Sequence, residues 1–231
     1  MERAHDRDDC IMTVDEIIRR LEAKYGNRQR NRLDPISELL LTIISQNTSD
    51  TNSLPAFEAL QETFPDWYKL AEANPEEIAN AIHAGGLEHI KAKRIKLVLK
   101  EILKQRGQLD LNFLKRMPLD EAKAWLKQLP GVGPKTAACV LLFSLDMPAL
   151  PVDTHVYRVA RRLGLVSAKA SAESAHDILE SLVSSKNVFR FHLLLVEHGR
   201  RQCSARRPDC PPCPLLEGCP FGQSVLYGSN S

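Results

Sequence analysis

Between Leu129 and His155 the chain reads Leu-Pro-Gly-Val-Gly-Pro-Lys-Thr-Ala-Ala, then an apolar run, then Pro-Val-Asp-Thr-His. Few folds accommodate that order. Leu129 to Gly133 is too short and too glycine-rich for a helix. Gly131 and Gly133 permit backbone angles that a side chain forbids, and let the backbone approach a ligand closely. Before this turn, Asp120 to Lys127 is predicted helical, with Ala122, Trp125 and Leu126 at i, i+3 and i+4 spacing. After it, Pro134 suits a first helical position, and Thr136 to Leu145 is predicted to continue as a buried helix. A helix, a tight hairpin and a second helix over about residues 119–145 are the expectation.

The free N–H groups at the start of that second helix form an anion site suited to a phosphate gripped without regard to sequence. The same hairpin also serves as a plain connection between packed helices. Lys135 falls in the first helical turn, where the macrodipole disfavours positive charge. That position and partial burial both lower an amine's pKa, and a neutral amine is a nucleophile. Asp153 precedes the helical pattern Val156, Val159, Ala160, Leu163, which makes it an N-cap and also a carboxylate able to face the lysine across a substrate.

Across 231 residues the net charge is only +2, so no global field marks the partner. Basic residues cluster locally instead, at Lys91, Lys93, Arg94 and Lys96, at Arg158, Arg161 and Arg162, and at Arg200, Arg201, Arg206 and Arg207. Acidic residues gather at Asp6, Asp8, Asp9, Asp15 and Glu16. Each basic run is either a solvated helix face or part of a basic surface fit for nucleic acid. The charged N-terminus has no apolar segment of a signal peptide, and no run reaches the ~20 apolar residues of a membrane span. A soluble, cytoplasmic, nucleoid-associated monomer is expected, with no membrane partner.

The remaining chain is read as a succession of helices. Residues 1–12 are expected to be loosely ordered. Thr13 with Glu16 has the capping-box pattern ahead of Val14, Ile17, Ile18 and Leu21, and Gly26 ends that stripe. Asn27 to Leu33 is a polar connection. Asp34-Pro35 opens a strongly apolar helix, which runs into the polar loop Ser45-Gln46-Asn47-Thr48-Ser49-Asp50. Helices follow around Leu54 to Phe64, Trp67 to Ala73 and from Asn74-Pro75 to Ile82. Gly85-Gly86-Leu87 turns into a long basic helix, Ile90 to Arg106, whose Lys91, Lys93 and Arg94 are well placed for phosphates. Three more helical patterns follow the hairpin, at Thr154 to Leu163, Ala172 to Val183 and Val188 to Gly199. No window alternates apolar and polar residues with β-branched enrichment, so the fold class is all-α.

Cysteines stand at 10, 139, 203, 210, 213 and 219. The last four give C-x6-C-x2-C-x5-C, interleaved with Pro208, Pro211, Pro212 and Pro214. So few apolar residues cannot build a core, and intracellular disulfides are disfavoured. Four thiolates in 17 residues therefore indicate a metal site, either zinc or iron–sulfur. Cys139 lies in the apolar helix as a core residue.

Together, Leu129–Ala138 and Val152-Asp153-Thr154-His155 resemble the helix-hairpin-helix, Gly/Pro-rich, aspartate superfamily of DNA glycosylases. The match is closest to the endonuclease III family and extends from about Asp34 to Cys219. The resemblance implies two all-α lobes with DNA in the cleft between them. One is a continuous helical barrel over 27–147 containing the hairpin; the other is built from 1–26 and 148–231. The spacing of Cys203, Cys210, Cys213 and Cys219 matches the family's loop and so implies a 4Fe–4S cluster, with Arg206 and Arg207 presented to phosphate. It also implies a bifunctional DNA glycosylase and abasic-site lyase, acting on double-stranded DNA with damaged bases, oxidised pyrimidines above all, or abasic sites. Lys135 attacks the sugar, Asp153 assists, and a Schiff base undergoes β-elimination. DNA contacts are implied for Gln46, Asn47, Leu87, Lys91, Gly131, Gly133, Thr136, His155, Arg158, Arg206 and Arg207. Leu87 reads as a wedge driven into the base stack or as a core-facing residue. The family's Ser-Ala-Gln is here Ser45-Gln46-Asn47, so either Asn47 or Gln46 fills the space left by an extruded nucleotide. Pro134 replaces a residue that is often basic. Two rivals remain: a glycosylase removing mismatched thymine or adenine, and a non-catalytic helix-hairpin-helix DNA-binding module.

Overall fold

A computed structural model describes residues 12–27, 32–167 and 169–228, whose regular elements are all helical, with no strand among them. The N-terminal acidic residues Asp6, Asp8 and Asp9, the stretch 1–11 expected to be loose, Cys10 and most of the connection at 28–31 lie outside the described residues. In chain order the α-helices are α1 (Val14–Tyr25), α2 (Pro35–Ser45), α3 (Asp50–Thr63), α4 (Trp67–Glu72), α5 (Pro75–Ala81), α6 (Glu88–Arg106), α7 (Leu119–Lys127), α8 (Pro134–Cys139), α9 (Thr154–Arg162), α10 (Ala172–Leu182), α11 (Val188–Arg201) and α12 (Pro220–Tyr227). The chain divides into two compact units, Arg30–Pro151 on one hand and Met1–Gln29 with Val152–Ser231 on the other.

The unit Arg30–Pro151 is organised around α2. Its Ile36, Leu39, Leu40, Ile43 and Ile44 are all buried along one face at i, i+3, i+4, i+7 and i+8 spacing. Ser37, Glu38 and Thr42 off that face are buried as well, so the helix is covered on more than its apolar stripe. Burial of each aliphatic side chain is worth about 1.5–3 kcal/mol. Asp34 caps the helix, its Oδ1 accepting from Ile36 N at 3.0 Å and Ser37 N at 3.1 Å, with Pro35 as the first helical residue. Helices α3, α6 and α8 pack against α2. On α6, Ala92, Ile95, Leu99 and Ile102 form the buried stripe, and Gly107 closes the helix in the left-handed region, φ +71°. Asn74 and Glu77 form a complete capping box on α5. The hairpin's second helix departs from the expected single run: α8 ends at Cys139 and the chain continues through a π-helical turn, Val140–Ser144.

In the second unit α1 packs on α11 and α9 on α11. Glu22 pairs with Arg190 through two hydrogen bonds, Asn187 Nδ2 donates to Asp15 Oδ1 at 2.7 Å, and Tyr25 Oη lies 3.0 Å from His198 Nδ1. The expected capping box at Thr13 forms only by half. Thr13 Oγ1 accepts from Glu16 N at 3.3 Å, but the Glu16 carboxylate turns to Arg19 and Arg20, two stronger donors than a backbone N–H. Helix α12, absent from the sequence reading, begins at Pro220 directly after Cys219. Among the described residues no helix is long and apolar enough to cross a membrane.

Candidate active site and cysteine loop

The hairpin forms as the glycines require. Gly131 has φ +73°, and Gly133 is the extended N-cap of α8, with no side chain to cap the helix start. Val132 N donates to Leu129 O at 3.1 Å to close the turn. Lys135, partly exposed, stands in the first turn of α8, and its neighbour Thr136 is buried.

Behind them, on α2, lies a carboxyl that the sequence reading passed over. Glu38 is buried and accepts from Thr42 Oγ1 at 3.3 Å. Burial pushes it up to about 7, against smaller opposing effects of the Thr42 hydrogen bond and the Lys135 charge. The folded state therefore holds this proton more tightly than the unfolded chain, where the carboxyl titrates near 4.5. Stability from this group is greatest below pH 4.5 and is lost as pH rises to about 7. Glu38→Gln is expected to raise stability at pH 8 by up to about 3 kcal/mol and to change it little at pH 4. Thermal melts at the two pH values check this. An equal shift at both would mean that ionisation of Glu38 is not the cause.

Two of the three residues considered for entry into DNA occupy unusual backbone. Asn47 has φ +56° and Leu87 φ +54°, a region that costs a side-chain-bearing residue about 1–2 kcal/mol. Leu87 is 51% exposed, not core-facing, and Asn47 is exposed as well. Gln46 is held inward instead. Its Oε1 accepts from Arg94 Nη1, and its Nε2 lies 3.3 Å from Thr136 Oγ1.

Lys91 corrects the expectation of a phosphate contact. It is 2% exposed, and its Nζ donates to Ile44 O at 2.6 Å and Gly85 O at 2.8 Å. These carbonyls terminate α2 and the turn before Leu87. An ammonium at this point satisfies both and offsets its own desolvation, while burial lowers its pKa. Lys93, two residues on, is exposed.

In the other unit Asp153 caps α9. Its Oδ1 accepts from His155 N and Val156 N, each at 2.8 Å, while Oδ2 accepts from neither. Arg158 also departs from its expected DNA contact. Its Nε donates to Cys203 O at 3.0 Å and its Nη2 to Gly199 O at 2.8 Å, with His155 Nδ1 3.1 Å away. Inward carbonyls use this guanidinium: Gly199 lies in the last turn of α11, where carbonyls lack a helical partner, and the cysteine loop has too little regular structure to pair its own. Arg162 does the same, donating to Cys203 Sγ at 3.1 Å and Ser204 O at 2.7 Å. From α1, Arg20 reaches Pro214 O at 3.0 Å. The sequence signal for this role was present in the α9 basic run, but was indistinguishable from a solvated face.

Cys203, Cys210, Cys213 and Cys219 line one pocket, together with Arg162 and His198. Among the described residues no three His, Cys, Asp or Glu side chains converge as ligands of a single ion; the thiols surround a space instead. Burial pushes Cys213 up to about 11 and raises Cys210 and Cys219. His198 is held at about 4 by burial, hence neutral, 3.7 Å from Cys213 Sγ. Between the first two cysteines, Arg206 and Arg207 are exposed. Cys139 is buried in α8 as expected.

Comparison with known proteins agrees with this anatomy. The model of the HhH-GPD superfamily of base excision DNA repair proteins matches residues 40–185. Endonuclease III of Sulfolobus acidocaldarius is 35% identical over 187 residues, 79% of this chain and 80% of that one. Two solved complexes of endonuclease III with DNA, one non-covalent and one a trapped covalent intermediate, each superpose with a TM-score of 0.80 at 26% identity, covering 93% of this chain and 99% of theirs. The chain belongs to the HhH-GPD superfamily of base-excision DNA repair proteins, within which it is an endonuclease III-like DNA glycosylase and abasic-site lyase.

Proposed function

We propose that the chain removes oxidised pyrimidines from double-stranded DNA through a Schiff base on Lys135, and then cuts the strand by β-elimination. The observation that carries this reading is the Asp153 carboxylate: one oxygen is fixed by two helix N–H groups, which leaves the other to serve the reaction. The Lys135 amine attacks the anomeric carbon of the deoxyribose, and the base departs with the bond's electron pair. Asp153 accepts a proton from the amine or stabilises positive charge developing on the sugar. Extrusion of the base costs a few kcal/mol, less for a damaged pair. The exposed Leu87 and Asn47 would hold the stack open, with Asn47 rather than Gln46 filling the gap, since the polar atoms of Gln46 are engaged within the protein. Hairpin backbone at Gly131 and Gly133, with Arg206 and Arg207, would take phosphates. The protein works as a monomer on damaged or abasic duplex.

The test is a panel of duplexes bearing an oxidised pyrimidine, a thymine or adenine mismatch, or an abasic site, with borohydride present. Excision and covalent trapping are expected on the oxidised pyrimidine, and trapping on the abasic site. Preference for a mismatch would overturn the lesion assignment.

The four-cysteine pocket fits a 4Fe–4S cluster held by Cys203, Cys210, Cys213 and Cys219: the donor set is all thiol, and the four cysteines line one common pocket. When bound, such a cluster supplies cross-linking of a loop with little core of its own. Arg20, Arg158 and Arg162 hold that loop's backbone from outside. Natively purified protein should be straw-brown, and Cys213→Ser should lose the colour and loosen residues 203–219, measured by protease sensitivity. Stoichiometric zinc without iron would overturn the assignment.

A further inference from the structure

Gln46 occupies a position that the proposed chemistry leaves without a task. It precedes exposed Asn47, yet its own side chain turns inward, between α6 and α8. Arg94 reaches it across Gly131. A Cβ at position 131 would collide with Arg94 Nε and Cδ and lie 3.0 Å from Cζ, so the guanidinium lies directly against the hairpin backbone, in the space a side chain at 131 would take. From there Arg94 Nη1 donates to Gln46 Oε1. The other end of the same amide, Nε2, approaches Thr136 Oγ1 at 3.3 Å, and Thr136 is the buried neighbour of Lys135. One turn before Arg94, Lys91 ties the end of α2 at Ile44 to the turn at Gly85. Helix α6 thus fastens the bases of both exposed tips with Lys91, and with Arg94 joins a tip to the hairpin.

We propose that Arg94, Gln46 and Thr136 form a latch that couples the loop of Asn47 to the helix presenting Lys135, with Gln46 and Arg94 as positioning residues. This rests on the reading of Lys135 as the nucleophile. A duplex seated on Asn47 bears on the residue next to Gln46. The bonded chain then carries that displacement to α8, so the amine sits in register when the loop does. Since misplacement of a reacting group by an ångström lowers rate far more than affinity, the latch belongs to the chemical step.

The experiment measures single-turnover trapping on an abasic duplex at saturating protein, alongside duplex affinity and melting temperature. Gln46→Met keeps length and removes both polar ends. Trapping is expected to slow about tenfold while affinity stays within about twofold. Gln46→Glu keeps an acceptor for Arg94 and can accept from the Thr136 hydroxyl, so it should recover most of the rate. Arg94→Met and Thr136→Val approach the latch from its two ends and should each slow trapping, and Gln46→Met/Arg94→Met should be no slower than its slower parent, within about twofold. Those single variants also stand in for Gln46→Met if it folds poorly. The latch is refuted if Gln46→Met traps at the wild-type rate, if it loses affinity as much as rate, as a direct DNA contact would, or if the two changes simply multiply. Failure of the wild-type protein to trap at all would instead overturn the Lys135 reading.

Discussion

Lys135→Gln is expected to abolish the borohydride-trapped complex and to reduce strand cleavage by roughly 10^3-fold or more, because the proposed covalent step rests on this amine. Glutamine has similar reach and remains polar, but its amide nitrogen has no basic lone pair with which to attack the sugar. The fold around it should persist. Lys135 is partly exposed, and the packing of α8 rests on buried Thr136, Ala137 and Ala138. Binding to an abasic duplex should survive within a few-fold, since phosphate contacts through the hairpin backbone and through Arg206 and Arg207 need no amine at 135. Gel analysis after borohydride treatment and fluorescence anisotropy on the same duplex separate the two effects. A trapped complex from this variant would place the nucleophile elsewhere in the chain.

What the sequence disclosed follows from how local each signal is. The caps at Asp34 and Asn74, the hairpin glycines and the cysteine spacing are decided within a few residues, and each was legible because its physics is local. Side-chain destinations were not. Lys91 and Arg158 each sat in a basic run that matched a phosphate-binding face. Each instead ends on carbonyls, of Ile44 and Gly85 and of Gly199 and Cys203, that are paired only once distant segments have packed. Glu38 was hidden for the opposite reason: a glutamate one turn into a helix is usually solvated, and only the helices covering α2 make it a buried acid. Our proposal of Asn47 over Gln46 rests on the Asn47 backbone and on Arg94, a partner 48 residues away from Gln46. Neither leaves a periodic trace in the chain.

Asp153→Asn should leave the protein folded and nearly inactive. The cap function belongs to Oδ1, which accepts from His155 N and Val156 N at 2.8 Å each, and an asparagine carbonyl oxygen can take both bonds in the same geometry. What the fold loses is one negative charge at the start of α9, about 0.3–1 kcal/mol, which shifts the melting temperature by a few degrees at most. The reaction loses far more. Oδ2 becomes an NH2 group that can neither take a proton nor stabilise a developing cation. Excision of an oxidised pyrimidine under single-turnover conditions should therefore fall by about 10^2-fold or more. Affinity for the lesion duplex should hold or rise slightly, since removing a carboxylate near phosphates relieves repulsion. A pure cap would behave otherwise. Its loss would appear first as a lowered melting temperature, and activity would fall only in proportion to the unfolded fraction. Melting and single-turnover excision on the same preparation distinguish the two, and an active, destabilised Asp153→Asn would remove this carboxylate from the chemistry.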